Sequence, residues 1–255
     1  MAKASQYYLQ YIHEASGGYR ATWDPALPLQ IGDLVKIDSF GVLNIFGSLA
    51  DKGITPAVRT TVSPLEWKLS SQQGIKVNVK LAGKLPVATS ALADVDAGFN
   101  IQFDGSNSVL FNISGYKTTT ITNLDEIEAG VLAQYQDKKW DTDLLIISNL
   151  IHADAATIII ADKGAASLDL KAKANIQAAD LKLTDTSLGL TCTRETGSTT
   201  QFIALGGLTP LYKVVGLRGL FSKHLDTREA GFTEEAPGVE SPALSEIEPD
   251  FFNVI

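Results

Sequence analysis

The chain has 255 residues, 45% hydrophobic and 20% charged, which suits one large globular domain or two small ones and excludes a disordered chain. A formal net charge of −8 offers no basic excess to attract nucleic acid, and the single cysteine, Cys192, excludes an intrachain disulfide and fits a reducing compartment. No apolar run approaches the roughly 18 residues of a membrane-spanning helix, and the Met1-Ala2-Lys3 start lacks the apolar core of a secretory signal, so any entry into a bilayer is expected through β-strands.

Residues 4–16 place Ala4, Tyr8, Tyr11, Ile12 and Ala15 on one helical face, stopped by Gly17-Gly18. Residues 19–23 read as a short strand ended by Asp24-Pro25 and Pro28. Residues 29–47 then read as a hairpin turning near Asp38-Ser39. After a connection with Pro56 and Pro64, residues 62–69 suit another strand. From Gly74 the alternation is strict, with Ile75, Val77, Val79 and Leu81 against Lys76, Asn78 and Lys80. Residues 85–96 are alanine-rich and fit a short helix or a loop. Phe99, Ile101 and Phe103 alternate with Asn100, Gln102 and Asp104. Beyond a turn at Gly105-Ser106-Asn107, Val109, Phe111 and Ile113 alternate with Asn112 and Ser114.

Residues 123–140 contain a helix with Leu124, Ile127, Val131, Leu132 and Tyr135 on one side, Asn123 as N-cap, and Asp125, Glu126 and Glu128 near its positive end. Residues 143–151 and 155–161 are apolar enough for central strands buried on both faces. After a turn at Lys163-Gly164, Leu168, Leu170, Ala172, Ala174 and Ile176 alternate with Asp169, Lys171, Lys173 and Asn175. Residues 180–194 repeat the mode, with Leu181 and Leu183 against Lys182, then Leu188, Leu190 and Cys192, the last expected as a half-buried structural thiol. A turn over 195–198, a strand over 201–205 and a segment over 208–221 close the body. The order of elements predicts an α+β fold, a mostly antiparallel twisted sheet with several packed helices.

The last thirty residues, 226–255, carry eight acidic side chains and one basic, so −7 of the total −8 lies there, and the body of residues 1–225 holds 20 basic and 21 acidic residues. This polar run ends in Phe251, Phe252, Val254 and Ile255, which reads as a flexible tether with an apolar end that docks on the body. Catalytic patterns are missing. His13, His152 and His224 are far apart, Leu205-Gly206-Gly207-Leu208 matches no phosphate-cradling motif, and no GxSxG elbow exists. An enzyme is the weaker reading, and no metal or cofactor is expected. Residues 74–83 have the length of a membrane-spanning strand, roughly 9–11 residues. The polar faces carry Lys76, Asn78, Lys80, Asn100, Gln102, Lys171 and Lys173, suited to an aqueous lumen with the apolar faces toward lipid.

Taken in order, these features resemble the gasdermin family, especially its compact bacterial and fungal members, over most of residues 5–221. The resemblance runs through the first helix with Gly18-Tyr19, Pro28-Leu29-Gln30, Ser108-Val109-Leu110-Phe111-Asn112-Ile113 and Leu124-Asp125-Glu126-Ile127. It continues through the 142–151 strand and Gly207-Leu208-Thr209-Pro210-Leu211. The resemblance implies a soluble, autoinhibited pore former without enzymatic activity or cofactor. Its partners would be an activating protease, membrane lipids and further copies of itself, with no nucleic acid. It would be cytoplasmic when inactive and at the cell membrane afterwards. On this reading residues 1–225 form the pore-forming body, 226–243 a flexible linker with the protease site, and 244–255 an autoinhibitory segment. Cleavage candidates are Asp226, Arg228 and Phe232. The inhibitory contacts would come from Leu244, Ile247, Phe251, Phe252, Val254 and Ile255.

Two regions, about 75–114 and 157–193, would insert as hairpins. Their apolar faces carry Ile75, Val77, Val79, Leu81, Phe99, Ile101, Phe103, Val109, Phe111, Ile113, Leu168, Leu170, Ile176, Leu181 and Leu183. One departure is that no cysteine precedes Cys192, whereas compact bacterial members often carry a lipid-modified cysteine near the N-terminus. The alternative is a non-enzymatic β-rich binding or structural protein whose tail docks on a partner subunit.

Overall fold

The computed structural model describes residues 2–38, 41–71, 74–84, 90–162, 164–173, 181–197, 199–218 and 243–246. Helix α1 (Ala2–Ala15) is followed by strands β1 (Arg20–Ala21), β2 (Asp33–Ile37), β3 (Leu43–Ser48), β4 (Val58–Ser70), β5 (Ile75–Lys80), β6 (Gly98–Phe103) and β7 (Ser108–Ile121). Helix α2 (Leu124–Gln136) leads to β8 (Leu145–Ala161), β9 (Ala166–Lys171), β10 (Thr191–Thr196), β11 (Thr199–Arg218) and β12 (Ala243–Glu246).

Strand β8 organises an eight-stranded sheet. It pairs β11 along one edge, and β7 then β2 along the other; β4 lies outside β7, β3 outside β2, and β1 and β12 outside β11. A second sheet has four strands in the order β10-β9-β6-β5, and the strand pairs of both sheets are antiparallel. Alternation along β7 and β8 separates two cores. Val109, Phe111, Ile113, Ile158 and Ile160 pack under Tyr8, Leu9 and Ile12 of α1. Leu110, Ile159 and Ala161 point the other way, against Phe99, Ile101, Phe103, Leu168 and Leu170 of the small sheet. The large sheet is thus sandwiched, and each large aliphatic or aromatic side chain buried there contributes roughly 1.5–3 kcal/mol. Helix α2 covers the far end, with Ile127 and Val131 against Leu34, Leu49, Ile146, Val215 and Leu217.

The mostly antiparallel architecture follows the sequence, but the described residues contain two α-helices rather than several. The described part of the alanine-rich segment, residues 90–96, is loop. The two central strands expected over 143–161 are one, and the stretches read separately as 201–205 and 208–221 run together in β11 as far as Arg218, each made continuous by the long β8–β11 ladder. Leu181 and Leu183 lie outside any strand, although both are buried. Their segment lies on the large sheet, with Thr157 Oγ1 donating to the Leu183 carbonyl at 2.8 Å, and then turns through a 3-10 turn, Thr186–Leu188. Alternating leucines mark one covered face, which a laid-down loop meets as well as a strand. Cys192 is exposed rather than half-buried, because β10 is the outer strand of the small sheet and Thr191–Thr196 is largely bare.

Asn123 does not cap α2 through its side chain. Its Oδ1 instead accepts from the Ala57 N–H at 2.7 Å, and its Nδ2 donates to the Thr55 carbonyl at 3.2 Å, fastening the lead-in of β4 to the helix. The Tyr8 hydroxyl, on a side chain 1% exposed, has no hydrogen-bond partner among the described residues, and burial pushes its pKa well above the ordinary range. A buried orphan hydroxyl costs stability. Tyr8→Phe is therefore expected to raise the unfolding free energy by up to ~1 kcal/mol in chemical denaturation; a clear loss would reveal a partner for the hydroxyl.

Candidate functional site

Four strands of the large sheet are each joined by a few residues to one strand of the small sheet. Residues 71–74 join β4 to β5, 104–107 join β6 to β7, 162–165 join β8 to β9, and 197–198 join β10 to β11. The spatial order is the same in both sheets, β4-β7-β8-β11 beside β5-β6-β9-β10. The register is carried across the central pair. The β7–β8 ladder ends at Ser108↔Ala161, and the β6–β9 ladder resumes at Phe103↔Ala166, five positions on along both strands. Between β4–β7 and β5–β6 the offset changes by two, from Ser70↔Leu110 to Ile75↔Phe103, which preserves the face. The small sheet is therefore the end of the large one folded back on it. The facing bends contain Asn107 at φ 53° and Ala165 at φ 61°. Asparagine tolerates this left-handed region, whereas alanine pays roughly 1–2 kcal/mol for it.

The fold-back changes where each face points. Phe99, Ile101 and Phe103 share their alternation with Val109, Phe111 and Ile113, yet the first three fill the space between the sheets and the last three lie under α1. Leu168 and Leu170 stand in the same relation to Ile158 and Ile160. Gly98 permits the close approach of β6 to β9, because a Cβ there would collide with the Leu170 carbonyl.

The polar face of the small sheet, expected to be wet, is largely roofed by residues 90–97. Asp169, 2% exposed, accepts from Ser90 Oγ at 2.9 Å, the Ala91 N–H at 2.7 Å and Asn100 Nδ2 at 2.8 Å. Lys80, also 2% exposed, donates to the carbonyls of Asp96 at 3.0 Å and Asp94 at 3.3 Å, and Lys171 pairs with the Asp96 carboxylate at 2.5 Å. Buried charges persist where such partners replace water. The polar alternation showed these residues but not the strap across them.

At its open edge, β5 overhangs the large sheet and leaves a cleft of about 360 Å³. Ile75, Val77, Val79, Phe99 and Leu110 line it, with Asn112 among them and the 181–184 segment at one side. Glu66 clips that segment to β4. It bonds Lys68 Nζ at 2.8 Å and Lys182 Nζ at 3.4 Å, and accepts from Thr184 Oγ1 at 3.2 Å. The Lys68 hydrogen bond, then the charges of Lys68 and Lys182 and the Thr184 hydroxyl, hold the Glu66 carboxyl below the usual carboxylate range against its partial burial. Sequence reading missed Glu66 and Asn112, since only the fold brings β4, β7 and residues 181–184 together.

At the opposite end, β12 adds to the outer edge of β11, with Val215↔Glu246 through Arg218↔Ala243. Leu244 packs into the core around Ile127 and Val131, and its N–H donates to Glu128 Oε1 at 3.2 Å. The tail segment thus pairs with its own chain. Of the expected insertion residues, Phe99, Ile101, Phe103, Val109, Phe111, Ile113, Leu168, Leu170, Leu181 and Leu183 are buried, Ile75 and Leu81 partly so, and Val77 and Val79 exposed. Asp226, Arg228, Phe232, Ile176, Ile247, Phe251, Phe252, Val254 and Ile255 lie outside the described residues. Among the described residues no cluster of three or more His, Cys, Asp or Glu is placed to hold a metal, and no helix is long and apolar enough to cross a membrane.

The chain is similar to solved gasdermin structures. A bacterial gasdermin from Bradyrhizobium tropiciagri matches at 14% identity and a TM-score of 0.34, over 94% of this chain and 90% of that one. The gasdermin A3 membrane pore, solved by cryo-electron microscopy, matches at 8% identity and a TM-score of 0.36, over 86% and 91% respectively. No protein-family model and no curated protein matches the chain.

Because the Glu66 pKa is lowered in the fold, its stabilisation is present above its unfolded value, about 4.3, and is lost as pH falls through the folded value. Urea unfolding of the native chain and of Glu66→Gln should therefore differ at pH 6.5, with the variant weaker, and converge toward pH 3. A constant gap at both pH values would show that the carboxylate charge is not what fastens residues 181–184.

Proposed function

We propose that this chain is an autoinhibited pore-forming protein whose folded-back sheet straightens into membrane-spanning hairpins once the C-terminal tail is removed. The observation that supports this most is the matched register and face across the bends. If residues 104–107 and 162–165 extend, β6 joins β7 and β9 joins β8 with no change of partner. Phe99, Ile101, Phe103, Val109, Phe111 and Ile113 then fall on one face, beside Ile158, Ile160, Leu168 and Leu170 across the ladder, with Gly105, Asn107 and Asp162 between the two apolar stretches. Asn100, Gln102, Asp104, Ser108, Asn112 and Ser114 form most of the other face, suited to a water-filled lumen. The joined strands exceed the roughly 9–11 residues needed to cross the hydrocarbon layer.

An open hairpin has unpaired edges that a bilayer does not tolerate, so insertion requires closure through further copies of the chain. The body is nearly neutral once the tail's −7 is gone, which eases approach to anionic lipid. In this reading residues 226–243 are the linker that a protease cuts, at Asp226, Arg228 or Phe232. Leu244, with Ile247, Phe251, Phe252, Val254 and Ile255, holds the inactive form. The inactive protein is cytoplasmic, the active one sits in the cell membrane, and permeabilisation kills the cell, as a defence against phage or in allorecognition. The chain needs no catalytic residue or cofactor for this. Pairing of β12 with its own β11 supports a tail that docks in cis.

Truncation after Arg228, which removes −7 of formal charge together with β12, is expected to release dye from anionic liposomes while the full-length chain does not; equal release from both, or none from either, sinks the proposal. In a Cys192→Ser background, a polarity-sensitive dye on Val77→Cys should report an apolar environment after truncation, whereas the same dye on Asn78→Cys should not. Phe251→Asp with Phe252→Asp should give leakage without cleavage, because two charges cannot be seated in an apolar contact.

A further inference from the structure

The alternation of the large sheet changes phase along one row. On β7 the α1 side carries Val109, Phe111 and Ile113 and then Tyr116; on β8 it carries Ile160, Ile158 and Ala156 and then Ala153. Each strand inserts one extra residue into the alternation at the same place, so Ile113↔Ala156 and Tyr116↔Ala153 keep one register. The outer strands put two residues against one there. In β4 the register shifts between Ser63 and Glu66, with Pro64 and Leu65 opposite Gly115. In β11 it shifts between Leu205 and Leu208, with Gly206 and Gly207 opposite Asp154. Gly115 stands at φ 58°, and a Cβ on it would collide with the Asp154 carboxylate. Four adjacent strands thus break step together, as β-bulges do where a strand re-aims its side chains.

The row also divides the packing. The core between the two sheets lies wholly on the side of the bends, and the cores around Ile127 and around Tyr212 lie wholly beyond the row. At the row itself stand aromatic rings. Trp67, paired with Ile113, lies 5.9 Å from Tyr116 and 6.2 Å from Tyr19 between ring centroids, and all three are half-buried on the α1 side. Beyond them the same face of β4 and β7 turns polar, through Thr61 and Thr118 to the exposed Arg59 and Thr120.

We propose that this row is a joint: the part of the large sheet between it and the bends extends with the small sheet, the part beyond keeps its fold, and Trp67 and Tyr116 come to lie at the boundary of water and hydrocarbon. The inference rests on the pore-forming reading and sets where its hairpins stop. A straight strand continued past Ile113 and Ala156 would turn Lys117 and Thr119, and Asp154 and His152, toward lipid, where charge is costly. The extra residues turn Tyr116 and Ala153 to that side instead. Tyrosine and tryptophan rings suit the interface, with an apolar body and a polar tip. The cores beyond the row bury α2 and β2 without the near part, so extension leaves them intact.

The test uses the full-length chain with a site for a specific protease inserted after Arg228, cut in the presence of anionic liposomes. In a Trp23→Phe, Trp140→Phe background, lipids brominated near the glycerol end of the acyl chain should quench Trp67 about twofold more strongly than lipids brominated near its tip. In a Cys192→Ser background, a spin label on Thr61→Cys should stay accessible to a water-soluble nickel complex after cutting. The same label on Val77→Cys should lose that access and gain access to oxygen. Stronger quenching of Trp67 by the deep bromines, no quenching by either, or loss of nickel access at Thr61 would overturn the joint. If the chain with Trp67 alone does not fold, the Thr61 label decides. Absence of leakage after cutting, with the Val77 label still in water, would sink the pore reading and the joint with it. Leakage with the Val77 and Thr61 labels both in lipid would sink the joint alone.

Discussion

The β7–β8 ladder sets the geometry of everything around it. It runs from Thr120↔Asn149 to Ser108↔Ala161, and its two faces feed two separate cores, one under α1 and one under the small sheet. Because side chains alternate, a slip of one residue would exchange both cores at once. The register is thus held by apolar burial on each side. The same pairing resumes beyond the bends between β6 and β9, so the small sheet inherits its alignment from the large one.

The small sheet sits between opposing demands. Its apolar face is satisfied against Leu110, Ile159 and Ala161, and its polar face by the strap that brings Ser90 and Ala91 to Asp169 and the Asp94 and Asp96 carbonyls to Lys80. Either half alone would leave groups in the wrong medium, buried charge without partners or apolar rows in water. A bilayer with an aqueous lumen offers the same two media in another arrangement. On the proposed reading, that equivalence lets one sequence suit both a folded-back and an extended sheet.

Much of this was legible in the residues. Strict alternation at Ile75, Val77 and Val79, and at Phe99, Ile101 and Phe103, located β5 and β6, and the apolar density of residues 143–161 located a strand buried on both faces. The helix stop at Gly17-Gly18 was equally local. Alternation reports a covered face and not a ladder, so Leu181 and Leu183 were misread as strand. Burial at an edge depends on neighbours far away in the chain, so Cys192 was expected to be half covered. Asn123 was expected to cap a helix, but the pull of the Thr55 and Ala57 backbone is non-local. The cleft was invisible for the same reason, since Glu66, Asn112 and Thr184 meet only after three segments of the chain have packed.

The tail strand β12 lies on Val215–Arg218, while the bend beside β10 adjoins Thr199, so the two stand at opposite ends of β11. On the proposed reading the tail does not clamp the bends by touch; it occupies a strand edge at a distance. A tethered segment competes for such an edge at an effective concentration near the millimolar range, and scission turns that contest into an ordinary bimolecular one. The severed peptide still has to dissociate before the edge is vacant. Activation would then show a lag set by the peptide's off-rate, and the fraction of vacant edges would fall as the protein is concentrated.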